Sequence, residues 1–178
     1  MGGSISFSNS CVRRFKLLEA NKIHFPRLIS KLKNNVSNSI KDYRDFFLKN
    51  SENIYILSSG ARCCIVPVVR DFGIRASHIF TNEFQFDSHD DIVGFDKKNI
   101  LTKNQGKVKK IQELNLASND PNKKIVMIGD GWTDYETRRE GVVDIFIAYT
   151  ENISRKKVVE QADFVAGNWG EVLDCLEK

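Results

Sequence analysis

Lys124-Ile125-Val126-Met127-Ile128-Gly129-Asp130-Gly131-Trp132-Thr133-Asp134 is the stretch whose reading decides the fold. The run from Ile125 to Ile128 is short and continuously apolar, the pattern of a strand buried on both faces. Gly129-Asp130-Gly131 ends it in a tight turn. A helix is expected from Thr133, with Glu136 completing a capping box. A buried strand that passes through a glycine-rich turn into a helix is one step of a parallel α/β sheet. Ligands of such sheets bind outside the carboxyl ends of the strands. Asp130 follows the strand directly, and Asp134 lies one helical turn further on. That spacing can turn both carboxylates into one crevice, where two oxygen ligands suit a hard cation such as Mg²⁺. The plainer alternative is a helix cap beside a solvent-facing Asp.

Working outward, the same alternation recurs. Asn53 to Ser58 reads as a second buried strand, and Ser58-Ser59-Gly60 as the loop after it. A hydroxyl and successive backbone N–H groups at a strand-to-helix turn form an anion cradle, and Gly60 lets the backbone approach a phosphate closely. Arg62 to Phe72 is the following helix, with Pro67 as a kink or break and Gly73 as its stop. His78 to Phe80 is a weak strand, and Glu83–Asp87 with Ile92–Phe95 reads as a hairpin. Lys107 opens a helix to Leu116, where a lysine can reach a phosphate as a point charge. Asp144–Ala148 and Asp163–Val165 complete the strands, and Arg155–Gln161 and Gly170–Leu176 the helices. Before Asn53 the period is helical. Phe7, Cys11, Phe15 and Leu18 share one face of a helix to Ala20, and Phe25, Leu28, Ile29 and Leu32 form a second stripe. Ser39 with Asp42 resembles a capping box opening a third helix through Phe47.

Composition bounds the function. The chain has 178 residues, and 27 Lys+Arg against 23 Asp+Glu leave a net charge of +4. Its 41% hydrophobic residues are enough for a core, and no stretch approaches the ~20 apolar residues of a membrane span. The basic pairs are scattered along the chain, which reads as solvated faces and not as a nucleic-acid stripe. Met1-Gly2-Gly3-Ser4 opens a polar segment without the apolar centre of an export signal. Cys11, Cys63, Cys64 and Cys175 are accordingly expected as free thiols in a reducing, cytoplasmic setting. Adjacent Cys63 and Cys64 read as small buried side chains on a helix. No CxxC pair occurs, and no histidine sits at ligand spacing from them.

Strand-Ser58, a helix-start lysine and strand-GDGxTD, in that order, resemble the haloacid dehalogenase superfamily of phosphotransferases, closest to its phosphoserine phosphatase branch. Met1-Gly2-Gly3, Phe7 and Arg14 look like part of that branch's helical cap. The fold expected is α/β, a Rossmann-like, mostly parallel sheet with flanking helices plus a partial N-terminal helical cap. Residues 1–38 would be the cap and 39–178 the core.

The resemblance implies that Ser58, Ser59 and Gly60 hold the phosphate, with Thr133 lining it. Lys107 would neutralise phosphoryl charge as the catalytic lysine. Asp130 would ligate Mg²⁺, and Asp134 would ligate it or hold its water shell. Met1, Phe7 and Arg14 would contact the substrate, with Arg14 forking onto its carboxylate. The implied substrate is a small phosphomonoester such as O-phosphoserine, in the chemistry of serine biosynthesis. No nucleic acid and no membrane are expected as partners.

Two departures matter. An alternative register puts Gln105 at the family's lysine position, with Lys103 also nearby. The family's DxDxT signature, whose first Asp is the nucleophile and second the acid/base, has no counterpart at the end of an apolar strand. The expectation is therefore an N-terminally shortened, inactive chain lacking the core's first strand. The unfilled sheet edge could then support self-association. The alternative is a non-catalytic, phosphate-ligand-binding or regulatory remnant of the fold.

Overall fold

The computed structural model describes residues 7–114, 116 and 123–177. In chain order the helices are α1 (Phe7–Lys16), α2 (Phe25–Asn34), α3 (Asn38–Asp42), α4 (Arg44–Lys49), α5 (Arg62–Val69), α6 (Gly106–Leu114), α7 (Trp132–Arg139), α8 (Lys156–Val159) and α9 (Trp169–Leu176). The strands are β1 (Ile56–Ala61), β2 (Ile79–Asn82), β3 (Phe84–Phe86), β4 (Ile92–Phe95), β5 (Val126–Gly129), β6 (Ile145–Tyr149) and β7 (Phe164–Ala166). The fold is mixed α/β. Of the strand pairings among the described residues, β1–β2, β5–β6 and β6–β7 are parallel and only the β3–β4 hairpin is antiparallel. No helix among the described residues is long and apolar enough to cross a membrane.

The chain divides into two compact units. One holds residues 7–36 and Arg44–Asn104. Its β1 and β2 run in register at Ile56↔Ile79 and Leu57↔Phe80, then shift before Ala61↔Asn82. Pro26 sits in the first turn of α2, where its missing N–H costs nothing. Helix α2 lies against α5, although Leu28 of its apolar stripe stays exposed. Phe25 at its start stacks on Phe84, with ring centroids 6.0 Å apart, and meets Phe86 edge-on at 5.9 Å. The hairpin tip is held by Asn21, whose amide donates to His89 O at 2.7 Å and Asp91 Oδ1 at 2.9 Å.

The other unit holds Ser37–Tyr43 and residues from 105 onward. Its three-stranded parallel sheet has the order β5-β6-β7. Central β6 carries the core. Phe146 and Ala148 are fully buried with Val158, and Met127, Tyr135, Val159 and Ala162 pack around them. Alternation with helices buries β6 on both faces, which explains its continuous apolar run.

Three local expectations change. The capping box at Ser39–Asp42 does not form. Helix α3 starts at Asn38, ends at Asp42 with Tyr43 as its C-cap, and is followed by a separate α4. The Ser39 hydroxyl is drawn instead to Tyr149 Oη, 2.9 Å away, and to Glu151 Oε2 at 2.5 Å. Ser58-Ser59-Gly60 belongs to β1 itself and not to a loop after it, because the strand continues to Ala61. The N-cap of α7 is Gly131, two residues before Thr133, and Asp134 supplies the side chain of the cap in place of Glu136.

Candidate functional site

The turn after β5 is built around Asp134. This residue is only 5% exposed. A buried carboxylate needs its lone pairs satisfied, and both oxygens are. Oδ2 accepts from the Gly131 N–H at 3.0 Å, and Oδ1 accepts from Lys107 Nζ at 2.5 Å. The first bond closes the open N-terminus of α7, where a negative charge also meets the favourable end of the helix dipole. Lys107 comes from the first turn of α6, and its side chain is 18% exposed.

The glycines are explained by the same carboxylate. A Cβ on Gly129 would lie 2.4 Å from Asp134 Cγ, and one on Gly131 would lie 3.1 Å from Asp134 Oδ2. Glycine at 129 is therefore a requirement of Asp134 folding back over the strand end.

Asp130 faces outward, with a side chain 48% exposed. Its carboxylate pairs with the guanidinium of Arg155, which also donates to the Asp130 carbonyl at 2.8 Å. Arg155 is the N-cap residue of α8 and follows β6 by a short loop. Reasoning from β1 and β5 alone missed it. The signal was available, since β6 is the third parallel strand and the same search past its carboxyl end reaches Arg155. Thr133 lies in the first turn of α7, half-buried.

The oxygen-only chemistry of Asp130 fits a hard divalent cation such as Mg²⁺. Asp134 has both oxygens engaged within the protein. Among the described residues no group of three or more His, Cys, Asp and Glu converges as a metal cage.

In the other unit, Ser58 Oγ accepts from the Gly60 N–H at 3.0 Å, a local turn that bends the end of β1. A Cβ on Gly60 would meet Ser58 Oγ at 3.2 Å and Ile65 at 3.3 Å. Ala61 is the extended N-cap of α5 and offers no side-chain bond, so the first N–H groups of α5, beginning at Arg62, have no capping side chain. Arg62 instead ties this corner to β2 through Nη1 to Ile79 O at 2.9 Å.

The structure places Lys107, Asp130, Thr133 and Asp134 in one unit, where Lys107 meets Asp134 but Asp130 turns outward to Arg155 instead of sharing a crevice with Asp134, and it places Ser58, Ser59 and Gly60 in the other. Arg14 is exposed on α1. Phe7 opens α1, but its side chain lies outside what is described, and Met1 lies outside the described residues. Gln105, the alternative to Lys107, precedes α6 in a left-handed conformation with φ 55°.

No family model matches the chain. Over 177 residues it is 29% identical to the chloroplastic phosphoserine phosphatase of Arabidopsis thaliana, covering 99% of this chain and 59% of that protein. Over 178 residues it is 28% identical to the phosphoserine phosphatase of Homo sapiens, covering 100% of this chain and 77% of that one. A solved phosphoserine phosphohydrolase-like protein from Francisella tularensis superposes with a TM-score of 0.82 at 26% identity, over 97% of this chain and 78% of that one. The chain therefore spans 59% of the plant relative and 77% of the human one.

Proposed function

We propose that this chain, a phosphoserine phosphatase-like protein of the haloacid dehalogenase superfamily, carries the phosphate-binding and charge-stabilising part of a hydrolase for a small phosphomonoester such as O-phosphoserine. The observation that carries this reading is the Gly129–Asp134 turn, where a buried carboxylate holds Lys107 by an ion pair at a strand end.

In this reading Lys107 presents its ammonium to phosphoryl oxygens, held in place by Asp134. Thr133 and the N-terminus of α7 add donors, and by the family likeness the phosphate falls to Ser58 and the Ser59 N–H, with Gly60 leaving room for close backbone approach. Arg14, with Met1 and Phe7, belongs to a cap formed by residues 1–38 and reads the substrate carboxylate. Residues 39–178 form the core. Mg²⁺ held at Asp130 would supply Lewis-acid stabilisation of the transferring phosphoryl group. A place in serine biosynthesis belongs to the same reading, and the free cysteines favour a reducing, cytoplasmic setting.

No Asp-x-Asp occurs anywhere in the 178 residues. Neither the nucleophile nor the acid/base that the family uses is therefore supplied by them, and these residues alone are expected to show negligible turnover. The Asp130–Arg155 pair supports a second reading, a protein that binds a phosphorylated ligand without hydrolysing it, because a guanidinium already balances that carboxylate.

The test combines calorimetric titration of O-phosphoserine with phosphate release in Mg²⁺, using Asp130→Asn to exclude a contaminating enzyme. Binding weakened at least tenfold by Lys107→Met, with no turnover, supports the phosphate site and the second reading. Absence of binding overturns the second reading. Turnover abolished by Asp130→Asn overturns the expected inactivity.

A further inference from the structure

Cys63 and Cys64 lie in the first turn of α5, directly after the Ser58–Gly60 corner. Their sulfurs are 3.8 Å apart. Cys63 is half-buried and lines an open cavity of about 420 Å³, with Arg62, Val66 and Pro67 from α5 and Phe84 and Phe86 from β3. Cys64 is buried, 8% exposed. The two thiols therefore differ in access. Cys63 meets small molecules through the cavity, while Cys64 sits behind it. Burial, and after it the adjacent Cys63, push the Cys64 thiol up to about 12, so Cys64 is the less reactive partner, and Cys63, open to the cavity, is the sulfur that meets an oxidant first.

Joining adjacent cysteines requires the sulfurs to approach to about 2.05 Å and the intervening peptide to leave its helical orientation. In most helices that motion is opposed by hydrogen bonds on both sides. Here it is opposed weakly. The N–H groups of the first helical turn have no intrahelical acceptor. The carbonyl of the peptide joining Cys63 to Cys64 belongs to Cys63, and its helical donor would be the N–H of residue 67. That residue is Pro67, inside α5, which has no N–H. The peptide unit that must turn is thus the one that the helix does not hold.

We infer that Cys63 and Cys64 form an oxidisable dithiol that closes into a vicinal disulfide when treated with a peroxide, unwinding the first turn of α5. The Cys63 sulfur attacks the peroxide, an S–O bond forms as the O–O bond breaks, and the departing oxygen takes the thiol proton and leaves as water. The Cys64 sulfur then attacks the Cys63 sulfur, S–S forms, S–O breaks, and a second water carries away the remaining proton. Two thiols and one peroxide thus become one disulfide and two waters. The turn that unwinds directly follows Ser58–Gly60 and carries N–H groups that would face an anion bound there. The effect on ligand binding therefore rests on the proposed phosphate role of that corner, whereas the disulfide itself does not.

The test treats the whole chain with hydrogen peroxide and follows the peptide of residues 63–70 by mass spectrometry. A peptide two hydrogens lighter, resistant to alkylation and restored by dithiothreitol, is expected for the wild type and for Cys175→Ser. Cys64→Ser and Cys64→Ala should stop at a dimedone-trappable sulfenic acid on Cys63, and Cys63→Ser should give neither product. Amide exchange at Ile65 and Val66, the first amides of α5 with helical acceptors, should rise at least tenfold on oxidation, and affinity for inorganic phosphate should fall at least tenfold. Two thiols still alkylated after peroxide, a bond to another cysteine, or unchanged exchange would overturn the dithiol. Equal phosphate affinity before and after oxidation overturns its link to the corner. If the reduced protein binds no phosphate, the reading of Ser58–Gly60 fails, and mass and exchange still decide the dithiol.

Discussion

At Asp134 one carboxylate serves two purposes, closing the start of α7 and fixing Lys107. Removing one partner of such a pair leaves a charge with little solvent. Lys107→Met is therefore expected to destabilise the fold by about 3 kcal/mol, and the double variant with Asp134→Asn by less than the sum of the two singles. Urea denaturation of the four proteins in the cycle checks this, and additive losses would mean that the pair is not coupled. Gly129→Ala tests the same carboxylate from the other side. Its Cβ would lie 2.4 Å from Asp134 Cγ, so Asp134 must move. A loss of about 1–3 kcal/mol is expected, with weaker binding of O-phosphoserine in parallel. Asp130, Asp134 and Lys107 were legible because each sits at a strand end or helix start, where spacing restricts direction. Arg155 was not picked out, because it lies six residues past β6, beyond the tight turns that mark the ends of β1 and β5, although the same search carried past β6 reaches it. Ser39 was misread for a related reason. Its local pattern suits a cap, but partners more than a hundred residues away, Tyr149 and Glu151, compete for the hydroxyl and win.

At the scale of elements, two polar anchors set the pH range of the second unit. Asp163 precedes β7 and accepts from the Phe146 N–H at 2.8 Å and from Arg138 Nε at 2.8 Å, tying β6 to α7. Burial alone would raise its carboxyl, but the Arg138 bond, the Phe146 N–H and the nearby guanidinium charge together hold it below the ordinary value. A depressed carboxyl stabilises the fold above its unfolded value of about 4, and that contribution is lost as pH falls through the lower folded value. Urea midpoints should thus drop on acidification below about pH 4, and Asp163→Asn should flatten that part of the profile. Tyr149, at the end of β6, behaves oppositely. Burial first, with the Glu151 carboxylate beside it, pushes its phenol up to about 12. The neutral phenol stabilises the fold fully below about pH 10, and this is lost as pH rises through about 12. A tyrosinate absorbance step near pH 12, missing in Tyr149→Phe, is the expected sign. Strand and helix types were legible because the apolar period changes from helical to continuous at Asn53. Their ends were less so. Neither the extension of β1 through Ser58-Ser59-Gly60 nor the break between α3 and α4 has a strong local signal.

For the whole molecule, the decisive feature is which strands have only one neighbour. β5 is apolar from Val126 to Ile128, yet among the described residues it pairs only with β6, and β1 pairs only with β2. Central β6, with two neighbours, is buried through its middle, whereas β1 and β5 remain partly exposed along their length. An apolar strand with a row of unpaired N–H and C=O groups is a template for another strand. The run that reads from sequence as buried on both faces is thus an edge strand of its sheet among the described residues, and it exposes apolar surface that another strand could cover. Concentration-dependent self-association is therefore expected, with a melting transition at or below the low end of ordinary domains, about 45 °C. Sedimentation velocity over a tenfold dilution series, run beside calorimetric melting, checks both. A chain that stays monomeric throughout the series and melts cooperatively well above that temperature would show that its open edges are satisfied in some other way. Association that disappears under mild urea before the Tyr149 and Asp163 anchors release would assign the contact to the edges and not to unfolded chain.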